Sequence, residues 1–462
     1  MEIRELIGLA GFVVLFLLLI VRVPVGLAMV IVGIGGNFAL SLAVPFLRFG
    51  PFLRQFKSLL WNTVANYDLS VVPLFVLMGL LATHASLSRD LFRGFNALVG
   101  RFRGGVAMAA IGACAGFGAV CGSSLATAST MGRVALPELR RLHYAPSLAT
   151  GALAAGGTLG ILIPPSVALV VYAVVVEGSI IKLFQAAIVP GLIATAFFIL
   201  VIAIQVRLRP ELAPNVESFD KAERRAALLR FIPVSLIFGV MILGLGAGLF
   251  TPTPAAAVGV FIVLAYGLLL RFRGEGLSFG GVKDSLLDSA VTSGMIYFIL
   301  FGAEVLKSFF ARSGLPAEMA VWAAGSGIDP MLLLVGILVL LIILGCFLES
   351  LSMILVIVPF LWPILVHVNG GENVTAAQAA YGLDTESLQI WFGILALIVV
   401  ELGLITPPVG LNIFIISSLS EGVPMSQTFK GVLSFFAAEI VRVSLLVAFP
   451  AISLFLPWLL AR

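Results

Sequence analysis

Two short segments, 159–165 and 402–408, carry nearly the same residues, LGILIPP and LGLITPP. Each ends in two adjacent prolines and lies in an apolar stretch long enough to enter a membrane. Proline has no backbone N–H, so it removes the donor that the carbonyl four residues earlier would use in a helix. In hydrocarbon that carbonyl needs a partner from protein, water or a ligand. The duplicated break therefore predicts two ligand-binding sites built from backbone oxygens.

The oxygens at these breaks are neutral. The carbonyls predicted to lose a donor are those of Gly160, Ile161, Gly403 and Leu404. Further neutral oxygens are expected nearby from the hydroxyls of Ser123, Ser124, Thr158 and Thr406. Neutral oxygens suit a small, hard monovalent cation, whereas transition metals prefer imidazole or thiolate ligands, and the three histidines are far apart in the sequence. The pattern favours sodium, with no other metal and no organic cofactor.

Composition places these breaks in a polytopic membrane protein. The 462 residues are 61% hydrophobic and only 11% charged, and the mean hydropathy is +1.17. A soluble core could not bury so much apolar surface, so membrane lipid is the expected surrounding. The net charge of +4 comes from loop arginines, which report membrane topology rather than nucleic-acid binding. Cys114, Cys121 and Cys346 lack metal-ligand spacing and are expected to pack as small residues.

Further spacing indicates a duplication of half the chain. Ser123 precedes Pro137 by 14 residues, and Glu349 precedes Pro363 by the same 14, so both are predicted hairpin tips. The stretches around them, 105–136 and 329–368, are too long or too glycine-rich for one crossing of about 20 residues. Weak internal symmetry of this kind is typical of secondary transporters built from two structural repeats.

Charge predicts how the repeats are oriented. Arginines surround the base of the first hairpin, at Arg89, Arg93, Arg101, Arg103, Arg140 and Arg141. Acidic residues flank the second, at Asp329, Glu372, Asp384 and Glu386. Because arginine-rich ends face the cytoplasm, the first hairpin is expected to open from the inside and the second from the outside. The repeats are therefore predicted to be inverted, although Arg48, Arg54 and Lys57 disagree, since the helix count places them outside.

Five segments together resemble one family. They read PLFVLMG from Pro73, GFGAVCGSSLATAST, GGTLGILIPPSVALVVY, FLESLSMILVIVPFLWPI and ELGLITPPVGLNIF. Over nearly the whole chain they resemble the large membrane subunit of tripartite ATP-independent periplasmic (TRAP) transporters, the DctM-like permeases. The resemblance implies a multi-pass protein of the bacterial inner membrane that imports organic acids by sodium symport. It also implies two partners, a periplasmic substrate-binding protein and a small membrane subunit.

The implied fold is all-α, with two inverted repeats, two re-entrant hairpins and two broken helices, as in elevator-type members of the ion-transporter superfamily. The first repeat is expected over 1–206, with scaffold helices at about 1–85, an arm at about 86–103, a hairpin at 104–140 and a broken helix at 147–176. A cytoplasmic linker follows at 207–230. The second repeat, 231–462, is expected to hold scaffold helices at 231–306, an arm at about 307–325, a hairpin at 329–368, a broken helix at 390–420 and a final helix at 431–460.

The resemblance also assigns residues to sites. It places a first sodium ion among Cys121, Gly122, Ser123, Ser124, Thr158, Gly160, Ile163 and Pro165. A second sodium ion is assigned to Gly345, Glu349, Ser350, Gly403, Thr406 and Pro408. Separately from the resemblance, an organic acid needs a positive or donor group, and substrate contacts are predicted at Arg133, Ser124, Thr127 and Asn412. No nucleotide-binding P-loop pattern occurs, and no catalytic residue is expected.

Several alternatives stay open. Arg133 could instead extend to the cytoplasmic surface, Glu349 could be a hydrated tip residue rather than an ion ligand, and Glu401 could be structural or proton-linked. The whole chain could be a stand-alone divalent-anion or ion carrier without a binding protein. An intramembrane hydrolase using Ser123 or Ser124 is disfavoured, because GSS is not a GxSxG elbow and no histidine is placed as a base.

Overall fold

The computed structural model describes residues 2–214, 220–246, 248–272 and 276–460, and within these ranges the chain is all-helical. The helices before residue 215 are α1 Ile3–Ile20, α2 Val25–Ala43, α3 Phe49–Val64, α4 Val71–His84, α5 Leu87–Val99, α6 Gly105–Cys121, α7 Ser124–Arg141, α8 Pro146–Leu162, α9 Val167–Val175 and α10 Ile180–Leu208. Those after residue 219 are α11 Lys221–Gly246, α12 Pro252–Arg271, α13 Phe279–Ser313, α14 Leu315–Gly325, α15 Pro330–Gly345, α16 Ser350–Asn369, α17 Thr385–Gly403, α18 Leu411–Leu419, α19 Met425–Ala448 and α20 Ala451–Leu460. Short 3₁₀ helices occupy Asp68–Ser70 and Pro210–Leu212.

Eight of the described helices are long and apolar enough to cross a membrane, and two bent helix pairs raise the number to as many as ten. One bent pair is α8 and α9, whose axes differ by 47° across the first double proline. The expectation of an all-α polytopic membrane protein is confirmed. The most exposed spans, such as α1, present apolar side chains outward, as expected of helices that face lipid.

Each half contains a helical hairpin whose first helix is too short to cross the bilayer. Helix α6 has 17 residues and α15 has 16, which at 1.5 Å per residue is about 25 Å against a hydrocarbon core of about 30 Å. Helix α6 ends at Gly122, whose φ of 59° lies in the left-handed region that glycine adopts readily. Ser123 then caps α7 by accepting a hydrogen bond from the N–H of Ala126 at 3.4 Å. Tight turning at the tip thus follows from the residue types there.

Helices α6, α8 and α17 form the most deeply buried part of the protein, whereas α15 of the second hairpin and α18 after the second break are much more exposed. Helix α8 packs against α6, α7 and α19, and all but the first two of its residues are buried. Its many glycines and alanines allow this close helix packing without side-chain collisions. Around this centre, α2 packs along α13 and α4 packs along α12. The site residues therefore sit on tightly packed elements rather than on mobile loops.

Several boundaries differ from those expected from the sequence, among them the starts of α17 at Thr385 rather than 390 and of α19 at Met425 rather than 431. Where a single final helix is expected over 431–460, Pro450 separates α19 from α20, because proline cannot continue the hydrogen-bonding of a helix. Helix α13 runs to Ser313, and Gly314, at φ 73°, separates it from α14, so the second arm begins later than 307. Part of the linker expected at 207–230 is already helical from Lys221, and residues 215–219 lie outside the described ranges.

A polar loop at 370–384 follows the second hairpin and is fixed to it by hydrogen bonds. The side chain of Asn369 donates to the carbonyl of Leu383 at 2.9 Å and accepts from the N–H of Tyr381 at 3.1 Å. The Tyr381 hydroxyl donates to the carbonyl of Pro330 at 3.0 Å, at the start of α15. Burial raises the pKa of Tyr381, and the negative charge of Asp329 adds to the effect, so this hydroxyl stays protonated as a donor.

Candidate functional site

The tip of the first hairpin lies directly against the first helix break. Gly118 and Gly160 are in contact, since a Cβ on Gly118 would lie 2.6 Å from the Cα of Gly160. A Cβ on Gly160 would lie 2.7 Å from the carbonyl oxygen of Ser123 and 2.4 Å from Oγ1 of Thr127. A Cβ on Gly122 would lie 3.2 Å from the carbonyl oxygen of Pro165. Glycine is therefore needed for oxygens from the tip and from the break to converge.

One of these oxygens has no partner. Thr127 is fully buried, and its Oγ1 forms no hydrogen bond with any of the residues that the structure describes. The same holds for Oδ1 of Asn412, which is also fully buried and whose amide nitrogen packs beside Gly157 on the same helix α8. Buried polar atoms nearly always have partners, so these two oxygens are candidates to bind a ligand or water. Both residues are among those predicted from the sequence to contact the substrate.

Other residues assigned to the first sodium ion face elsewhere. Thr158 donates its hydroxyl to the carbonyl of Ala155 at 2.6 Å, within its own helix. Cys121 lies against Gly79 of α4, and the side chain of Ile163 lies against Gly191 of α10. Ser124 donates its hydroxyl to Glu401 of the second half. The structure thus brings together Gly122, Ser123, Gly160 and Pro165, and leaves the side chains of Thr158, Cys121 and Ile163 outside that group.

The second hairpin docks on the second break through the matching pair of glycines. A Cβ on Gly403 would lie 2.6 Å from the Cα of Gly345 and 2.5 Å from its carbonyl carbon. Glu349 is half-buried at the tip, where it accepts a hydrogen bond from the Ser352 hydroxyl at 3.4 Å. The hydroxyl of Thr406 donates to the carbonyl of Leu402 at 2.6 Å, and Pro408 is exposed. Gly345 and Gly403 are therefore in contact, whereas Thr406 bonds within its own segment.

The expectation that the carbonyls of Gly403 and Leu404 lack an N–H partner is wrong. The N–H of Thr406 donates to the carbonyl of Gly403 at 3.0 Å, because the chain tightens to a three-residue turn there. The N–H of Asn412 donates to the carbonyl of Leu404 at 3.1 Å. The turn at Gly410, whose φ is 59°, places Asn412 next to the break. Both donors lie outside the four-residue helical spacing on which the expectation rested.

Glu401 connects both tips, a contact that the sequence does not reveal. It is buried on α17, two residues before Gly403, and it accepts the hydroxyl of Ser350 at 2.6 Å as well as that of Ser124. Gly118 was also missed as a site residue. The sequence does single out Glu401, as a carboxylate in an apolar segment, but its alignment with Thr158, two residues before Gly160, gives no sign of its partners.

Arg133 lies apart from the buried group. It is exposed and lines a 710 Å³ cavity together with Arg89, Arg93 and Glu138. Arg133 follows Ser124 by nine positions, which corresponds to about 13 Å along α7. The structure therefore places three of the four residues assigned to the substrate near the tip, and the arginine at the far end of the hairpin.

Comparison with known proteins identifies the family. Residues 12–452 match the family described as "Tripartite ATP-independent periplasmic transporter, DctM component". The chain is similar to the C4-dicarboxylate TRAP transporter large permease protein DctM of Pseudomonas aeruginosa, with 35% identity over 92% of this chain and 94% of that one. It is also similar to the sialic acid TRAP transporter large permease protein SiaM of Vibrio cholerae, with 31% identity over 85% of this chain and 87% of that one.

Two further similarities concern architecture. The isethionate TRAP transporter permease protein DctMQ of Oleidesulfovibrio alaskensis is 29% identical, over 97% of this chain but only 65% of that longer protein. The YdaH transporter of Alcanivorax borkumensis has a similar fold, with a TM-score of 0.59 and 15% identity over 87% of this chain and 90% of that one. With its helical hairpins, its broken helices and a family match over nearly its whole length, the chain is a multi-pass inner-membrane protein that belongs to the DctM family of TRAP transporter large permeases, which are transporters rather than enzymes.

Proposed function

We propose that this permease imports a small organic acid by sodium symport, taking the acid from a periplasmic binding protein and carrying it by an elevator motion. The observation that supports this most is the paired docking of hairpin tips on broken helices, Gly118 on Gly160 and Gly345 on Gly403, in a chain of this family. Two equivalent tip-on-break contacts provide two places for a coupling ion.

The first ion is proposed to bind between the first tip and the first break. Ligands available there are the carbonyl oxygens of Ser123, Gly160 and Pro165 and the unpaired hydroxyl of Thr127. These are neutral oxygens, which suit sodium better than a transition metal. The second ion is proposed near Gly345, Glu349 and Gly403, where the half-buried carboxylate supplies a charged ligand.

Energetics favour more than one ion. A hundredfold accumulation of solute costs about 2.8 kcal/mol. Moving one charge against a 100 mV potential costs about 2.3 kcal/mol more, and an imported anion must meet that cost. One sodium ion cancels the charge of a monoanion and leaves only its own concentration gradient as a driving force. Two ions make the step electrically favourable, which agrees with two tip-on-break contacts.

The substrate is proposed to be an organic acid anion, because the similar permeases are named for C4-dicarboxylates, sialic acid and isethionate. Ser124, Thr127 and Asn412 are proposed to lie beside it near the first tip, where the unpaired Thr127 hydroxyl can donate its proton to the acid while its oxygen faces the proposed sodium ion. Arg133 is proposed to meet the acid at the cavity of the far hairpin end, since that is where its guanidinium lies.

The partners are a periplasmic substrate-binding protein and a small membrane subunit. The proposal for the small subunit draws on the relative named DctMQ, of which this chain spans 65%. The exposed apolar faces of α1 and α2 offer surface for such a subunit or for lipid.

Reconstitution tests the coupling. Proteoliposomes that contain this chain, the small subunit and a candidate binding protein are assayed for uptake of labelled carboxylic and sulfonic acids. Uptake is expected only with external sodium and binding protein, and replacing sodium with choline is expected to abolish it. Equal uptake in choline would refute sodium coupling. Uptake by the permease alone would favour the stand-alone carrier.

A disulfide tests the elevator motion. A Cβ on Gly79 of α4 would lie 3.5 Å from the Cβ of Cys121, a separation at which disulfides form, and 2.9 Å from the Cα of Cys121, so the backbone must shift slightly to admit it. Oxidising the Gly79→Cys variant is expected to fix the tip to α4 and stop uptake, and a reductant is expected to restore it. Gly79→Ala controls for the added bulk. Undiminished uptake by the cross-linked protein would contradict a sliding tip.

A further inference from the structure

Glu401 is a buried carboxylate placed between the two repeats. Only 3% of the residue is exposed, and it lies on α17, two residues before the glycine that contacts the second tip. The corresponding residue of the first half, Thr158, bonds within its own helix. The carboxylate therefore has no counterpart in the other half, and its role is not duplicated.

One hydroxyl from each hairpin reaches this carboxylate. Ser124 donates to Oε2 and Ser350 donates to Oε1, the latter at 2.6 Å. These serines are the first residues of α7 and α16, helices of 18 and 20 residues. The N-terminus of a helix carries a partial positive charge, which stabilises a nearby anion. Glu401 is thus held by two hydroxyls and by the ends of two helices.

Among the residues that the structure describes, no basic side chain forms an ion pair with Glu401. The other deeply buried glutamate near the centre, Glu439, pairs with Arg442 three residues away. A buried carboxylate that loses a hydrogen-bond donor is costly, because water cannot replace it. Because each tip holds the Glu401 side chain in one position, a closed tip fixes the acceptor that the other tip needs, and the conformational entropy of that side chain is lost only once.

We propose that Glu401 is a positioning residue that couples the two hairpin tips, so that closure of one favours closure of the other. The inference rests on the proposed function in one respect, since the tips are where the ions are proposed to bind. Ion binding at one tip then raises affinity at the other by the same factor in both directions, as required for linked sites. The coupling itself is a property of the protein and is measurable without transport.

Hydrogen–deuterium exchange tests the coupling directly. The permease with its small subunit is studied in nanodiscs containing choline and no sodium, as wild type and as Glu401→Gln, Ser124→Ala and Ser350→Ala. Peptides containing Ser124 and Ser350 report the two tips. Glu401→Gln is expected to speed exchange at both tips about tenfold, because the amide NH2 that replaces one carboxyl oxygen cannot accept a serine hydroxyl and the two tips share this side chain. Each serine variant is expected to speed exchange at the opposite tip as well as at its own.

Thr158→Val is the matched control, since it removes a hydroxyl at the symmetry-related position that bonds only within its own helix. It is expected to leave exchange at both tips unchanged. If Ser124→Ala affects only the first tip and Ser350→Ala only the second, the coupling is absent and the proposal is overturned. Should Glu401→Gln fail to fold, the two serine variants, which keep the carboxylate, decide the question.

A sodium titration of the same exchange separates this inference from the proposed function. Wild type is expected to show a cooperative loss of exchange at both tips as sodium replaces choline, and Ser350→Ala is expected to lower the Hill coefficient towards one. A wild type that ignores sodium would overturn sodium coupling, while the result in choline still decides the role of Glu401. An unchanged Hill coefficient in Ser350→Ala would count against the coupling.

Discussion

The two helix breaks share a sequence motif but differ in their surroundings. Pro164 and Pro165 are buried, and the first tip reaches past them to contact the segment that follows. Pro407 and Pro408 are exposed, and the second tip contacts the helix before the break, at Gly403. The motif therefore determines where the chain leaves the helix, and the neighbouring helices determine whether protein covers the break.

The helices that follow the two breaks, α9 and α18, also begin in different ways. Ser166 caps α9 by accepting a hydrogen bond from the N–H of Leu169 at 3.4 Å. In the second half Gly410, at φ 59°, precedes α18, and no side chain caps that helix. The second break uses backbone N–H groups to satisfy the carbonyls of Gly403 and Leu404. The first break is the better candidate for a site that is complete only when an ion supplies the remaining contacts.

The largest expected effect comes from filling the glycine contacts. Gly160→Ala and Gly403→Ala each place a Cβ within 2.7 Å of backbone atoms of the facing tip. Overpacking of this kind costs about 1–3 kcal/mol, so uptake is expected to fall by about a hundredfold in both variants. Gly336→Ala on α15 is the control, because nothing lies within 4 Å of its new Cβ. Normal uptake by Gly403→Ala alone would mean that the exposed second break does not depend on its tip.

The next largest effect distinguishes Thr127 at the first break from Thr406 at the second. Thr127→Val removes an unpaired buried hydroxyl, so without sodium the protein is expected to be more stable by about 1 kcal/mol. The sodium concentration for half-maximal uptake is expected to rise about tenfold, because a proposed ligand is lost. Thr406→Val is the matched change at the second break, where the hydroxyl already bonds to Leu402, and a change below about threefold is expected. Thermal unfolding and sodium titrations measure both; equal effects would erase the difference between the breaks.

Smaller effects come from the helix starts. Ser166→Ala removes the cap of α9 and is expected to cost about 1 kcal/mol of stability. Ser166→Thr keeps a capping hydroxyl and is expected to lose less. Gly410→Ala forces a side chain into the left-handed region and is expected to cost about the same 1 kcal/mol, through a different cause. Denaturation midpoints in sodium-free detergent provide the measurement, and a neutral Ser166→Ala would show that the buried break needs no cap.

Arg133 is expected to give the smallest effect on uptake from outside. It lies about 13 Å along α7 from Ser124, so Arg133→Ala is expected to change the external half-saturation by less than about twofold. Counterflow driven by internal substrate is expected to weaken more, because the guanidinium lines the cavity at that end. Arg101→Ala provides a control for loss of one exposed charge. A large loss of external affinity would place Arg133 in the transport site instead.

The hairpins and breaks were accessible from the sequence because they depend on local chemistry. Glycine and proline positions reveal where a helix cannot continue, and equal spacing in the two halves reveals the repeat. The partners of the oxygens were not accessible. The carbonyl of Leu404 has a partner only because the folded chain brings the N–H of Asn412 next to it. The hydrogen bond from Ser124 to Glu401 joins residues 277 positions apart. Such contacts are set by packing of the whole chain.

The 370–384 loop has a consequence for assembly. Because Asn369 and Tyr381 hold it against the second hairpin, the loop has already lost most of its conformational freedom before any protein docks on it. Ordering a flexible segment at the moment of association reduces affinity, and a rigid surface avoids that loss. A soluble partner that docked on this loop would lose less free energy to ordering it, so the same contacts would give tighter binding.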